Sequence, residues 1–302
     1  MNGAAATPAL SVVLAGRDRW PAIRTALDAL HDQAAAVGGE IVLAVGGPHV
    51  VPPAEMARYP AARRVEIPGG SVFRLRAAAL ALCRAPIVAI TEDHARVADD
   101  WCRRVLEAHA EHPEADAIGG VVENGATKTL KDRVGFFIAN GPFMRPIDVG
   151  PSRVISQQAN VSYKRAALPV EDAPLGFMAH TFHQRLAGRG AVLRTDDRRL
   201  VTHVQELGLA GHASGHFHNG RSIAAFRAAE MPPWRRPLRA LACVALPPVM
   251  LYRTVSTVLG KRRERATLAA GLPLMIGLLC CHAAGEFLGY VAGPGTSPEH
   301  VD

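Results

Sequence analysis

The run Ile87-Val88-Ala89-Ile90 constrains the fold of this 302-residue chain more than any other stretch. A short β-branched apolar run is the pattern of a strand buried on both faces, and such strands belong to parallel sheets covered by helices. The run ends abruptly in Glu92, Asp93 and His94. Two carboxylates and an imidazole at the end of a buried strand need solvent, a partner or a cation. An open parallel α/β sheet binds its ligands at that edge. Oxygen donors beside an imidazole suit Mg²⁺ or Mn²⁺ better than a closed zinc site. The plainer alternative is a strand that runs into a polar loop, with Glu92 and Asp93 capping the turn before the helix that starts at Trp101.

The rest of the chain alternates around that strand. Strands are expected at residues 11–15, 40–45, 65–67, 115–122, 160–163, 191–194 and 200–203. Pro21 suits the first position of a helix, Ile23, Ala26, Leu27 and Leu30 share its apolar face, and Gly38-Gly39 ends it. Further helices are expected at 75–83, 101–110 and 179–186. This alternation is the mark of an α/β doubly wound, mostly parallel sheet. Residues 124–154, broken by Gly135, Gly141, Pro142 and Pro146, read as a mobile or acceptor-facing region. Residues 208–220 read as a flexible loop: His212, His216 and His218 resemble a metal cluster, but glycines and serines separate them.

The net charge of +7 is concentrated in one place. Residues 231–266 hold eight basic side chains against one acid, Glu264, so the remainder of the chain is neutral overall. A nucleic-acid binder would spread its excess over a folded face. Charge that brackets apolar segments points instead to anionic lipid, and no nucleic-acid partner is expected. The five cysteines show no spacing of a disulfide framework or zinc site, which fits a reducing compartment. Residues 1–15 lack the basic start of a secretory signal, so the N-terminal domain is expected at the cytoplasmic face of the cell membrane. Residues 238–251 are apolar but interrupted by Pro247-Pro248, whereas 267–291 exceed the roughly 20 residues that cross a bilayer. The second segment contains His282 and Glu286, costly if they face lipid. The basic loop between the segments should stay cytoplasmic. Residues 238–259 are therefore expected to lie in the interface or re-enter, with 267–291 spanning once or folding back on them. The alternative is that both are core helices of a soluble domain. The expected organisation is an N-terminal domain at 1–230, basic and apolar membrane-associated helices at 231–292, and a disordered tail at 293–302.

In order and spacing, residues 11–227 resemble a family 2 glycosyltransferase, an inverting enzyme of the GT-A fold. Ser11-Val12-Val13-Leu14-Ala15 is similar to that family's opening strand, and residues 74–85 to its basic helix. Thr91-Glu92-Asp93-His94 stands where the family has its Asp-x-Asp motif. Asn160-Val161-Ser162-Tyr163-Lys164-Arg165-Ala166-Ala167-Leu168 is close to the signature Asn-Val-(Ala/Ser)-Tyr-(Arg/Lys)-Arg-x-x-Leu. Val201-Thr202-His203 and Gly220-Arg221 match a late histidine and an arginine-bearing segment.

The resemblance implies a nucleotide-sugar donor, with a UDP-sugar first, and Mg²⁺ or Mn²⁺ held by Asp93, His94 and His203. It implies donor contacts from Ala15, Gly16, Asp18, Gly46, Arg74, Arg76, Glu92, Asn160 and Arg221, with Asn160 bracing the floor of the site. An arginine would pair with a phosphate. The chain departs from the pattern twice. Gly46-Gly47 replaces the Asp that usually ends the second strand, and Gly176-Phe177-Met178-Ala179-His180-Thr181 lacks the family's acidic base. Three explanations stay open: His180 is the base, Glu171 or Asp172 swings in, or transfer has been lost. The expected function is metal-dependent transfer of a sugar to a lipid-linked or cell-envelope glycan acceptor. The rival is a non-catalytic nucleotide-sugar-binding or scaffold protein of a glycan-assembly complex. A homo-oligomer is left open.

Overall fold

The computed structural model describes residues 7–17, 19–47, 50–168 and 175–301. The described residues of Met1–Val122 and Asp148–Thr202 form one compact unit, and those of Glu123–Ile147 and His203–Asp302 form another. In chain order the first stretch gives β1 (Leu10–Gly16), α1 (Trp20–Ala36), β2 (Glu40–Val45), α2 (Pro53–Met56), β3 (Ala62–Glu66) and α3 (Val72–Leu82). Then come β4 (Ile87–Glu92), β5 (Ala95–Val97), α4 (Trp101–Glu111), β6 (Ala117–Asn124), α5 (Leu130–Asn140) and β7 (Gly150–Pro151). β8 (Val161–Lys164), α6 (Ala179–Gly188) and β9 (Leu193–His203) follow, and α7 (Leu209–Ala229), α8 (Arg235–Ala242), α9 (Leu246–Gly260) and α10 (Arg265–Ala292) are helical to near the end.

The sheet of the first unit runs β3-β2-β1-β4-β8-β6-β9-β5, with β7 on β9. β1 to β4 pair in parallel, and β8 runs antiparallel to both β4 and β6. The mixed sheet flanked by helices is the architecture expected from the alternation. α1 buries Ile23, Ala26, Leu27 and Leu30 against Leu14, Ile41 and Leu43. The two short strands expected at 191–194 and 200–203 are one strand, β9, from Leu193 to His203. Asp196 is ion-paired with Arg198, and buried Arg199 donates to Ser162 Oγ at 2.6 Å and Ile118 O at 2.8 Å.

Asn160, fully buried, ties the sheet together. Its Oδ1 accepts from Trp101 Nε1 at 2.8 Å, and its Nδ2 donates to Val121 O at 2.8 Å and Arg199 O at 2.9 Å. A Cβ on neighbouring Gly120 would come within 2.4 Å of Asn160 Nδ2, so only glycine fits there. Asn160→Ala would orphan one donor and two acceptors in the core, each costing about 1–3 kcal/mol. It is expected to lower unfolding stability by about 3 kcal/mol, read from the urea midpoint.

The second unit departs most from expectation. Residues 130–140, within the region read as irregular, form α5, capped by Thr129, whose Oγ accepts from Asp132 N. The presumed flexible loop 208–220 is the first half of the 21-residue α7. Its glycines are contact points rather than breaks. A Cβ on Gly220 would lie 2.2 Å from His282 O, and those on Gly285 and Gly289 of α10 would lie 2.0 Å from Phe217 O and 2.5 Å from Arg221 O. The histidines are also engaged separately: His212 Nε2 meets Asp132 Oδ1 at 2.9 Å, and His218 Nδ1 meets Ser297 Oγ at 2.9 Å.

Two helical stretches, Arg235–Gly260 and Arg265–Ala292, are long and apolar enough to cross a membrane. His282 and Glu286 are buried, with Glu286 paired to Arg227 of α7 at 3.0 Å, whereas Ile276, Phe287 and Val291 point outward. Trp234, Leu238, Leu241 and Tyr252 are exposed along the first stretch, and Val244 is 84% exposed. The turn joining α9 to α10 holds Arg262 and Glu264 at positive φ. Lys261 Nζ donates to Pro142 O at 3.1 Å and Pro146 O at 2.6 Å, and Arg263 pairs with Glu123 at 2.9 Å. Part of the basic loop is thereby tied to its own unit.

Candidate functional site

The register of β1, β2 and β4 brings their C-terminal ends level: Ala15 lies opposite Glu92, and Gly16 opposite Val45. Glu92 closes β4, Asp93 and His94 form the turn into β5, and His203 closes β9, a sheet neighbour of β5. Glu92, His94 and His203 each offer one ligand atom, and these atoms all lie within 4.8 Å of one another. His94 Nδ1 donates to Asp93 Oδ1 at 2.8 Å, and its Nε2 lies 3.5 Å from Glu92 Oε2. Asp93, expected as a ligand from sequence, is the hydrogen-bond partner of His94. Glu92, assigned to the donor, supplies the carboxylate of the group.

Burial alone would depress the His94 imidazole, but the Glu92 carboxylate and the Asp93 hydrogen bond and charge outweigh it and raise its pKa above the ordinary value. The net potential at that point is therefore negative, as a cation site requires. One carboxylate oxygen and two imidazole nitrogens fit a divalent ion. They suit Mn²⁺ better than Mg²⁺, which prefers an oxygen shell.

The glycines of the rim reflect close packing. A Cβ on Gly16 would lie 2.4 Å from Ile23 Cγ1 and 3.4 Å from Asp93 Oδ2, and one on Gly46 would lie 2.6 Å from Arg17 O. Arg74 is exposed in the first turn of α3. Arg76 is 2% exposed, and its Nη2 donates to Glu92 Oε1 at 3.0 Å. Helical period could have shown this, since residues two apart on a helix point to nearly opposite sides.

Gly176 has φ +91°, and a Cβ there would lie 2.3 Å from the Phe73 carbonyl. Phe177 N donates to Phe73 O at 2.8 Å, which docks the entry to α6 on the first turn of α3. His180, partly buried in the first turn of α6, has Gln184 Nε2 within 3.2 Å of its own Nε2. Arg221 lies in α7, where its Nε donates to Gly293 O at 2.8 Å. Asp18, Glu171 and Asp172 lie outside the described residues.

No protein-family model matches the chain, and no curated protein matches it. Among solved structures it is similar to the mannosyltransferase PcManGT from Pyrobaculum calidifontis, in complex with GDP-Man and Mn²⁺. The identity is 17% and the TM-score 0.56, over 93% of this chain and 88% of the other. The likeness is one of fold: a central sheet flanked by helices, as in a glycosyltransferase.

Proposed function

We propose that this chain is an inverting, divalent-metal-dependent glycosyltransferase that moves a sugar from a nucleotide donor, UDP-linked, to a lipid-linked or cell-envelope glycan acceptor. The observation that carries the reading is the Glu92, His94 and His203 donor group at the sheet edge where β1 and β4 end. When bound there, a divalent cation neutralises the charge that accumulates on a diphosphate leaving group. Asp93 accepts from His94 Nδ1 and so leaves Nε2 as the ligand atom, the usual way a neighbouring carboxylate orients a ligating imidazole. Arg74, exposed at the start of α3, is placed to pair with a phosphate. The nucleoside lies along the rim formed by the strand ends at Ala15, Gly16 and Gly46. His180, or Glu171 or Asp172, takes the acceptor hydroxyl proton as that oxygen attacks opposite the leaving group.

The outward apolar faces of α8 to α10, with Arg235, Arg236 and Arg239 on α8, hold the protein to anionic lipid at the cytoplasmic face of the membrane, where a lipid-linked acceptor is delivered. A second reading, donor binding without transfer, is favoured by one observation: residues 175–182, leading into α6, carry no acid.

Turnover of a panel of nucleotide sugars by the detergent-solubilised full chain tests both readings. Transfer with Mn²⁺, several-fold faster than with Mg²⁺ and abolished by chelator, is the expected result. Calorimetric donor binding with neither hydrolysis nor transfer across an acceptor panel would favour the second reading. A chain that binds no donor at all would end both.

A further inference from the structure

We infer that Arg76 is a positioning residue for the cation site: it fixes the Glu92 carboxylate so that a single oxygen, Oε2, faces the site as a monodentate ligand. The inference rests on the cation reading given above and adds to it a residue that touches neither cation nor donor. Three observations carry it. The Arg76–Glu92 contact is a buried pair, with side chains only 2% and 7% exposed. It takes Oε1 at 3.0 Å, while Oε2 points to His94 Nε2 at 3.5 Å, so the two oxygens are divided between two tasks. The guanidinium is also poorly satisfied, because its buried Nε finds no hydrogen-bond partner among the described residues.

These facts argue against a role in stability alone. A buried ion pair recovers its desolvation cost only when its remaining donors are also bonded, and an apolar pair of similar volume commonly does as well or better. The well-made contact of Arg76 among the described residues is the one that holds the Glu92 carboxylate. Groups that hold a ligand in this way typically account for 10–100-fold in metal affinity.

The test is Mn²⁺ affinity of the full chain in detergent, by electron paramagnetic resonance titration, with thermal melting as the control for folding. Arg76→Met is expected to weaken Mn²⁺ binding about 10–100-fold. Arg76→Lys, which keeps the charge, is expected to lose less. The Arg76→Met/Glu92→Gln chain is expected to bind no more weakly than Glu92→Gln alone, because both changes remove the same ligand geometry. Wild-type affinity in a folded Arg76→Met chain, or losses that add in full in the double variant, would overturn the inference. If Arg76→Met does not fold, unchanged affinity in Arg76→Lys overturns it equally. A wild-type chain that takes up no Mn²⁺ overturns the cation reading itself, so the two failures are distinguishable.

Discussion

His94→Ala is expected to weaken Mn²⁺ binding by more than about 100-fold, beyond the usual loss from removing a group that merely supports a ligand. Sugar transfer should fall about 1,000-fold, since the cation supplies several kcal/mol of transition-state stabilisation and each 1.36 kcal/mol is tenfold in rate. The melting temperature should fall by less than in Glu92→Ala, although the buried imidazole is lost from beside Glu92 and Asp93. His94 sits in a two-residue turn, and its loss leaves the Arg76–Glu92 pair in place, unlike Glu92→Ala, which would leave the Arg76 charge buried and unpaired. Asp93→Ala separates orientation from ligation: it removes the acceptor of the His94 Nδ1 proton and should cost less affinity than His94→Ala. Equal Mn²⁺ uptake by wild type and His94→Ala, measured by calorimetry, would show that the cation binds elsewhere or not at all.

Acid should unfold the first unit well above the range in which carboxylates protonate. His109 and His183 are both held down to about 3, His109 by burial and then by the Arg199 and Lys164 charges, His183 by burial and then by His180. Both are neutral hydrogen-bond partners: His109 Nε2 lies 2.9 Å from Ser162 Oγ, and the Tyr163 hydroxyl donates to His183 Nε2 at 2.6 Å. Burial raises Tyr163 well above its ordinary value, so it keeps its proton. An unfolded histidine titrates near 6.5. Between about pH 6.5 and 3 the unfolded chain therefore binds more protons, and stability falls as pH falls; above 6.5 the two groups contribute nothing to the slope. Each contributes about 1.4 kcal/mol per pH unit, so the pair costs about 4 kcal/mol at pH 5, a large share of a typical 5–15 kcal/mol. Urea unfolding at pH 7.5 and 5.0 reads this directly. The His109→Gln/His183→Gln chain should have a flatter profile, and a wild-type midpoint independent of pH over that window would refute the assignment.

The parallel half of the sheet was legible because each strand is an apolar run bounded by turn residues, and the site edge because Ile87 to Ile90 stops at three polar side chains. What escaped sequence reading has a common cause: residues that look unfavourable alone are satisfied by distant partners. Gly220 looked like a breaker, but it lets the α7 and α10 backbones approach. Gly135 lies against the His212 ring, so α5 forms where breaks were expected. Asp196 and Arg198 fall between the two strands expected there, but they pair with each other within β9. Arg76 reaches Glu92 and not its neighbour Asp93 among the contacts described, and adjacent positions in a sequence do not specify that.

The glycine seam between α7 and α10 means that the oily C-terminal hairpin is no detachable anchor. α10 also packs on α5, where a Cβ on Gly271 would come within 2.4 Å of Val134. A recombinant fragment ending at residue 230 would strip the cover from both helices and leave Arg227 without its Glu286 counter-charge. Preparations of this protein are therefore expected to need the whole polypeptide, and a version trimmed at residue 230 to aggregate.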